Sequence, residues 1–368
     1  MSIALAPPST GLLGAAHGVA ESAARNAAQA DRDGDLSPEV IAAVREAGFA
    51  RHLVPARYGG TEGTFAELTR AVTAVGEACA ATAWFASLSA YSARFAAYLP
   101  VEGQDELWAD GADAIIATGL IPSGAVTKTD GGWLVSGTWR YVSGVAWSDW
   151  VLLCALGPVQ GVGDARFFAL PASACRVEQT WDSTGMRATG SHSVVLPETF
   201  VPDHRSVARA EVLAGPNRTS QAVCHNTSFQ AVGTLTFVAP ALGAALGALG
   251  SCVELLKHAR RTPSGDEGLA RSAALIDGAR LLVERNAATA DAGNCTPQLL
   301  ARNARDAALA AEILVSAVNA LVRAAGTHGL SQSHPLERHW RDVVAAASHV
   351  ALRFETAPAK TFADILLA

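Results

Sequence analysis

The order of apolar and polar positions divides the chain into three parts, of which the first is helical. Between residues 65 and 79, apolar residues return at helical spacing and place Leu68, Val72 and Val75 on one face. Upstream, SPEVIAAVREAGF begins with a capping serine and a proline at the first helical position, and its glycine marks the helix end. These patterns predict an N-terminal helical domain over residues 1–113.

The central part shows the alternation that is typical of strands. Short apolar runs such as GGWLVSGTWRYVSG, DWVLLCAL and ARFFALP are separated by glycine, proline, aspartate and serine. Several such runs in close succession predict a small antiparallel β-barrel or sandwich over residues 114–225.

The C-terminal part returns to helical periodicity. It predicts four long helices, at residues 229–261, 266–291, 297–325 and 334–356. Because the links between them are short, neighbouring helices should be antiparallel, and residues 226–368 should form a four-helix bundle. The predicted fold class is therefore mainly α with a central β domain.

One stretch of the predicted bundle, from Asn226 to Val253, carries no formal charge and contains the G-x-x-x-G of Gly243 and Gly247. Its length would allow a membrane span. Pro240 and several polar residues dilute it, and no second stretch of this kind is evident. A buried helix of the bundle is the favoured interpretation, and no membrane partner is expected.

Composition and charge argue against several classes of function. The 368 residues carry a formal net charge of −6 and no run of basic residues, so a nucleic-acid partner is not expected. The six cysteines form no C-x-x-C pair and the ten histidines do not recur at ligand spacing, so no metal site is expected. Because the N-terminus lacks the basic region of a signal peptide, we expect a cytoplasmic protein with reduced thiols.

Several common catalytic signatures do not occur in the sequence. No strand is followed by the G-x-G-x-x-G of a dinucleotide-binding domain or by the G-x-x-x-x-G-K of a phosphate-binding loop. The G-x-S-x-G of serine hydrolases does not occur either. Three other segments contain residues that could carry chemistry.

The first candidate is the predicted strand Gly137–Gly144. Trp139, Tyr141 and Ser143 alternate along it and are expected on one face. Such a face can hold a flat ring, with the serine hydroxyl hydrogen-bonding to the ring edge. An aromatic strand that faces the protein core explains the same spacing and remains an alternative.

The second candidate is the segment Trp181–Ser191, which holds two glycines, four hydroxyl residues and one arginine. A loop of this composition can present backbone N–H groups and hydroxyls to a ligand. A plain turn before the strand SHSVVLP is the alternative.

The third candidate is His349, near the end of the last predicted helix. On that helix it would share a face with Asp342, Ala345 and Ala346, and the small alanines would leave its ring approachable. A neutral histidine could act there as a base or as a hydrogen-bond donor near pH 7. A satisfied core histidine is the alternative.

The domain order and several stretches together resemble the acyl-CoA dehydrogenase superfamily over roughly residues 15 to 360. The resemblance is carried by LSPEVIAAVREAGF, VPARYGG, GEACAATAWFASL, GTWRYVSGVAWSDWVLL, GMRATGSHSVVL and ERHWRDVVAAASH. Within the superfamily the chain is most similar to the flavin-dependent monooxygenase branch. It looks particularly like the hydroxylases of actinomycete aromatic-polyketide pathways, such as that of actinorhodin.

The resemblance implies the oxygenase component of a two-component system. A separate NAD(P)H:flavin reductase would supply reduced FMN, with FAD as the alternative. The flavin would react with O2 to give a C4a-hydroperoxide, which passes one oxygen atom to a small-molecule substrate. The resemblance also implies a homotetramer built through the C-terminal bundles.

The resemblance further implies roles for single residues. The implied catalytic residues are His349 and Ser143, and Ser143 would also hydrogen-bond the N5 edge of the flavin. The other implied flavin contacts are Trp139, Tyr141, Thr189, Ser191 and Arg261, of which the arginine would reach cofactor phosphate on a neighbouring subunit. The implied substrate pocket contains Trp84, Tyr91 and Ser92. Arg341 and Asp342 match a structural signature of the family.

Three departures from the family pattern bear on the reaction. Val350 stands where many acyl-CoA dehydrogenases hold a catalytic glutamate, so the base for α-proton removal is missing there. A shortened IPSGAV replaces the loop that contacts flavin and acyl thioester. The residues SAYS at 89–92 replace a histidine of some phenol hydroxylases, so a phenolic substrate is not assured.

The favoured interpretation is a hydroxylase that acts on an aromatic polyketide intermediate of the naphthoquinone or phenol type. One alternative is an N-oxygenase of an amino sugar or amine on the same fold. The others are an acyl-thioester dehydrogenase with a relocated base and a non-catalytic binding protein.

Overall fold

Helices, then two sheets, then helices again follow one another along the chain. The computed structural model describes residues 11–157, 165–258, 262–355 and 358–367. The helices of the N-terminal part are α1 (Leu12–Asp33), α2 (Pro38–Ala47), α3 (Phe65–Ala78), α4 (Ala80–Ala96) and α5 (Val101–Leu107).

The ends of α2 follow the predicted signals. The Ser37 side chain caps the helix by accepting a hydrogen bond from Val40 N at 3.3 Å. Gly48 ends the helix in the left-handed conformation, with φ 85°. The predicted start and end of this helix are therefore confirmed.

The strands of the central part are β1 (Ile116–Gly119), β2 (Ala125–Thr129), β3 (Gly132–Val142), β4 (Trp150–Leu156), β5 (Ala165–Pro171), β6 (Arg176–Glu178), β7 (His192–Pro202) and β8 (Ser206–Ala208). They form two four-stranded sheets with the orders β1-β4-β5-β8 and β2-β3-β7-β6. The pairing of β1 with β4 is parallel, and the other pairings are antiparallel. Because apolar residues of both sheets share one core, the predicted β domain is a sandwich.

Strand β3 does not keep the regular alternation predicted for it. Its register with β7 shifts between Trp139 and Val142, and Tyr141 between them has a positive φ of 61°. The irregularity sends the two aromatic side chains to different places, since Trp139 is 1% exposed in the sandwich core and Tyr141 is 64% exposed. The prediction that Trp139, Tyr141 and Ser143 share one face is therefore wrong.

The helices of the C-terminal part are α6 (Arg209–Ala214), α7 (Val223–Asn226), α8 (Phe229–Val232), α9 (Leu235–Lys257), α10 (Pro263–Asp291), α11 (Pro297–Ala325), α12 (Pro335–Ala347) and α13 (Pro358–Leu367). The four predicted long helices correspond to α9 through α12. Helix α11 has the predicted bounds, and the other three differ at one end or both. Gly233, a residue of low helix propensity, separates α9 from α8. Helix α10 begins before the predicted residue 266, because Thr262 caps it and Pro263 occupies its first position.

Helix α12 ends at Ala347, well before the predicted residue 356. The Ser348 hydroxyl donates to the Ala345 carbonyl oxygen at 2.7 Å and so competes with the helical backbone bonds. His349 then has an extended backbone and caps the 3₁₀ turn Val350–Leu352. The prediction that it lies on the helix face of Asp342 is therefore wrong.

The G-x-x-x-G of α9 packs against α3. A Cβ on Gly243 would overlap the carbonyl oxygen of Thr73, and a Cβ on Gly76 would lie 2.9 Å from Gly243 Cα. A Cβ on Gly247 would likewise overlap the carbonyl oxygen of Glu77. The glycines therefore allow the two backbones to approach closely.

Two helical stretches are long and apolar enough to cross a membrane by length and composition, Phe229–Lys257 and Pro297–Leu330. In their most apolar windows, 83% of the first and 50% of the second is buried inside the protein. The first matches the expectation of a buried helix. The second was not expected, because five charged residues interrupt it: Arg302, Arg305, Asp306, Glu312 and Arg323.

Candidate active site

Six residues predicted for the site surround one cavity of about 670 Å³. The cavity lies where α4, the end of β3, the loop between β6 and β7, and the residues after α12 come together. The predicted residues that line it are Trp84, Tyr141, Ser143, Thr189, Ser191 and His349.

Hydrogen-bonded hydroxyl groups form one wall of the cavity. Trp84 Nε1 donates to Ser143 Oγ at 3.2 Å, and Ser143 Oγ lies 2.7 Å from Ser191 Oγ. Ser191 Oγ lies 2.8 Å from Thr189 Oγ1, which donates to the Met186 carbonyl oxygen at 2.9 Å. We call Ser143, Ser191 and Thr189 the hydroxyl row. It ties the end of β3 to the loop between β6 and β7.

Helix α12 holds the loop that supports the hydroxyl row. Asp342 Oδ1 accepts a hydrogen bond from Met186 N at 2.6 Å, and Arg341 Nη1 donates to the Thr184 carbonyl oxygen at 2.5 Å. Between these contacts, a Cβ on Gly185 would overlap the Arg341 carbonyl oxygen. The Arg-Asp pair of the sequence signature therefore fixes this loop against the helix.

Arg341 and Asp342 differ in how the protein surrounds their charges. Arg341 forms ion pairs with Asp31 at 2.7 Å and with Glu337 at 2.6 Å. Asp342 is buried, and burial raises its pKa to about 6, although the Met186 N–H opposes this shift. The carboxylate acts as a hydrogen-bond acceptor for the loop.

His349 lines the cavity, and one of its two ring nitrogens is occupied by the backbone. Its Nδ1 accepts a hydrogen bond from the Ala351 backbone N–H at 3.2 Å, so the neutral ring carries its proton on Nε2. The ring stacks on Phe237 with centroids 3.7 Å apart and meets Trp84 edge-on at 5.8 Å. Burial, and then Arg353, lowers the pKa of His349 to about 4. The histidine is therefore neutral near pH 7.

The remaining walls are aromatic and cationic. Tyr141 stands edge-on to Trp181 at the rim, with ring centroids 6.3 Å apart. Arg140 and Arg353 also line the cavity, whereas its described lining residues include no aspartate or glutamate. The site therefore favours a flat, electron-rich or anionic ligand over a cation.

Of the other four residues predicted for the site, three lie away from the cavity. Trp139 lies in the sandwich core, where its Nε1 donates to the Cys154 carbonyl oxygen at 2.6 Å. Tyr91 is buried with its ring stacked on Phe65, and Ser92 Oγ accepts from Thr118 Oγ1 at 2.8 Å. The fourth, Arg261, lies outside the described residues.

Two residues of the site, Phe237 and Arg140, were not predicted from the sequence. Phe237 stacks on His349, but in the sequence it is one of many apolar residues of an uncharged helix. Arg140 reaches the cavity although regular alternation placed it on the opposite face from Tyr141. The positive φ of Tyr141 accounts for this difference, and no local sequence signal announces it.

The sequence was compared with known protein families and relatives. Residues 14–107 match the model of the acyl-CoA dehydrogenase N-terminal domain, and residues 235–354 match that of the acyl-CoA dehydrogenase C-terminal domain. The flavin-dependent monooxygenase oxygenase subunit HsaA of Mycobacterium tuberculosis is 31% identical over 352 residues, covering 89% of this chain and 88% of HsaA. The chain belongs to the flavin-dependent monooxygenase branch of the acyl-CoA dehydrogenase family.

Other relatives of this monooxygenase agree in sequence and in fold. The oxygenase component of an FADH2-dependent resorcinol hydroxylase from a Rhizobium species is 29% identical, with 95% of this chain and 92% of the relative covered. XiaF from a Streptomyces species, solved in complex with FADH2 and glycerol, superimposes with a TM-score of 0.90 at 26% identity. That match covers 97% of this chain and 94% of XiaF.

The residues of the monooxygenase cavity fit a flavin. The volume falls within the range of roughly 300–1,000 Å³ that small-molecule and cofactor sites occupy. Aromatic side chains can pack on an isoalloxazine, and the hydroxyl row can hydrogen-bond its polar edge. Within the described residues, no cluster of three or more His, Cys, Asp or Glu side chains could hold a metal ion.

Proposed function

We propose that this monooxygenase hydroxylates an aromatic polyketide intermediate of the naphthoquinone or phenol type. The observation that carries the proposal is one cavity with a hydroxyl row, aromatic walls and a neutral histidine, and without a carboxylate among its described lining residues. A separate NAD(P)H:flavin reductase would supply reduced FMN, with FAD as the alternative.

The protein's own part in the reaction is to bind, orient and exclude water. Bound reduced flavin would supply the chemistry that activates O2. Ser143 and Ser191 would hold its polar edge through their hydroxyl oxygens, and Tyr141 would cover it at the rim. Trp84 and Phe237 are 8% and 4% exposed, and they keep the inner wall apolar and poor in water.

His349 would orient the substrate by donating a hydrogen bond from Nε2. Since the Ala351 N–H occupies Nδ1, a substrate oxygen can meet only the protonated nitrogen of the neutral ring. Arg140 and Arg353 would favour substrates whose oxygen atoms carry negative charge, such as phenolates and hydroquinone anions.

The same electrostatics argue against the two alternative reactions. An acyl-thioester dehydrogenase needs a general base for the α-proton, whereas Val350 lines the cavity and no carboxylate stands among its described lining residues. An amine substrate would bring a cation toward Arg140 and Arg353, which is unfavourable. Hydroxylation of an aromatic ring is better supported, and the Rhizobium relative is named for resorcinol.

A reconstituted reaction tests the proposal. The purified protein would be combined with a flavin reductase, NADH, FMN and a panel of naphthoquinols, simple phenols and amines under ¹⁸O2. We expect one ¹⁸O atom in a naphthoquinol or phenol product, detected by mass spectrometry, and none in the reaction without the oxygenase. Labelling of the amines alone would contradict the proposed substrate class.

The homotetramer and the cytoplasmic location remain part of the proposal. Leu281 of α10 and Leu309 of α11 are 66% and 38% exposed, which supports an interface on these helices. Six free cysteines support a reducing compartment. Light scattering after gel filtration should give four times the mass of the chain, and a monomeric mass would contradict the assembly.

A further inference from the structure

The two ends of the hydroxyl row fix the direction of every hydrogen bond in it. At one end, the Trp84 indole N–H can only donate, and it donates to Ser143 Oγ. At the other end, the Met186 carbonyl oxygen can only accept. Thr189 Oγ1 must therefore donate its single hydroxyl proton to that oxygen. Thr189 can then only accept from Ser191, and Ser191 can only accept from Ser143.

This order leaves Ser143 without a proton for a ligand. A serine hydroxyl has one proton and two lone pairs. The proton of Ser143 points to Ser191, one lone pair receives the Trp84 N–H, and one lone pair remains. Because Ser143 lines the cavity, it faces a ligand as a hydrogen-bond acceptor only.

We propose that the Thr189–Met186 hydrogen bond, acting through Ser191 and Ser143, makes the site prefer reduced over oxidised flavin. This inference rests on the proposed function, in which Ser143 meets the N5 edge. N5 of a reduced flavin carries a hydrogen and donates, which suits an acceptor. N5 of an oxidised flavin carries a lone pair, so it would face the Ser143 lone pair unless the row broke a hydrogen bond.

Thr189 is therefore a positioning residue, and its replacement should change the ratio of two affinities. In Thr189→Val, Ser191 is released from donating to residue 189 and can donate to Ser143, which can then donate to N5 of oxidised FMN. We expect the Kd of oxidised FMN divided by the Kd of reduced FMN to fall on the order of tenfold, which corresponds to the net contribution of one hydrogen bond. The midpoint potential of bound FMN should fall by about 30 mV for a tenfold change of a two-electron couple.

Both dissociation constants can be measured without turnover. Oxidised FMN is titrated by fluorescence, and dithionite-reduced FMN is titrated under anaerobic ultrafiltration. Thr180→Val is the matched control, since Thr180 Oγ1 also lies 2.8 Å from a serine, Ser193, but does not line the cavity.

The outcomes separate the inference from the proposed function. A ratio that falls in Thr189→Val, and stays near the wild-type value in Thr189→Ser and Thr180→Val, supports the inference. Ser191→Ala, which also frees the Ser143 proton, should lower the ratio and replaces Thr189→Val if that variant does not fold. An unchanged ratio in Thr189→Val and Ser191→Ala, or an equal fall in Thr180→Val or Thr189→Ser, overturns the inference. If the wild-type protein binds neither form of FMN, the proposed function itself fails.

Discussion

Asp342 accepts a hydrogen bond from the backbone N–H of Met186, although the two residues are 156 positions apart. Met186 has a positive φ of 55°, which costs a residue with a side chain roughly 1–2 kcal/mol. A hydrogen bond from the Met186 N–H to a buried carboxylate can offset much of this strain. The family's signature aspartate thus stabilises the strained loop from which the hydroxyl row is built.

The burial of Asp342 gives stability a measurable dependence on pH. Its pKa is raised from the ordinary 3.8 to about 6, so the folded chain binds this proton more readily than the unfolded chain. Through this group, the free energy of unfolding falls as pH rises from about 4 to about 6. Asp342→Asn keeps an oxygen that accepts from Met186 N but has no carboxyl group to titrate. As pH rises from about 4 to about 6, its free energy of unfolding should rise relative to that of wild type by on the order of 2 kcal/mol, measured by urea unfolding.

A surface variant controls for the loss of one negative charge. Asp277 is exposed on α10 and pairs with Arg280, so Asp277→Asn removes a charge without removing a buried group. If the Asp342→Asn difference from wild type stays constant across this pH interval, the aspartate does not titrate as stated.

Gly185 should be intolerant of a side chain because it lies against α12. Gly185→Ala places a Cβ on the Arg341 carbonyl oxygen and should destabilise the protein by on the order of 2 kcal/mol. The displaced loop should also weaken the binding of reduced FMN. Gly278→Ala is the control, since no atom within 4 Å of that Cβ opposes it. It should stabilise α10 by about 0.5–1 kcal/mol in thermal or urea unfolding. Equal stability of the two variants would contradict the contact.

Two glycines of one helix should respond in opposite directions. Gly243→Ala forces α9 away from α3 and should lower the free energy of unfolding by about 1–3 kcal/mol. In Gly250→Ala, on the same helix, the added Cβ has no atom within 4 Å. This variant should raise the free energy of unfolding by about 0.5–1 kcal/mol. Urea unfolding measures both changes. If Gly243→Ala is neutral, the close approach of α9 and α3 does not limit stability.

Local signals account for the parts of the fold that the sequence predicted well. Ser37 and Gly48 bound α2 through side-chain and backbone preferences of single residues, which can be read without the rest of the protein. Apolar spacing likewise located the long C-terminal helices. The G-x-x-x-G of Gly243 and Gly247 was visible, but only the fold shows that its partner is α3.

The misplaced parts depend on contacts that local patterns do not contain. The side of β3 on which Tyr141 lies depends on one positive φ, which non-glycine residues seldom adopt. The end of α12 depends on the Ser348 hydroxyl, whereas alanine-rich periodicity favoured a longer helix. The hydroxyl row joins Ser143 to Ser191, which are 48 positions apart, so no spacing rule could have paired them.

His349 should act as a hydrogen-bond donor, and two nearly isosteric variants distinguish this role from that of a base. Asparagine and aspartate can both cap the Ala351 N–H, but only asparagine keeps a donor for the cavity. We expect His349→Asp to lower the single-turnover hydroxylation rate on the order of 100-fold and His349→Asn to lower it much less. Both should bind reduced FMN nearly as wild type does. Because burial lowers the pKa of His349 to about 4, the wild-type rate should show no titration of His349 near neutral pH. A faster Asp variant would instead identify residue 349 as a proton acceptor.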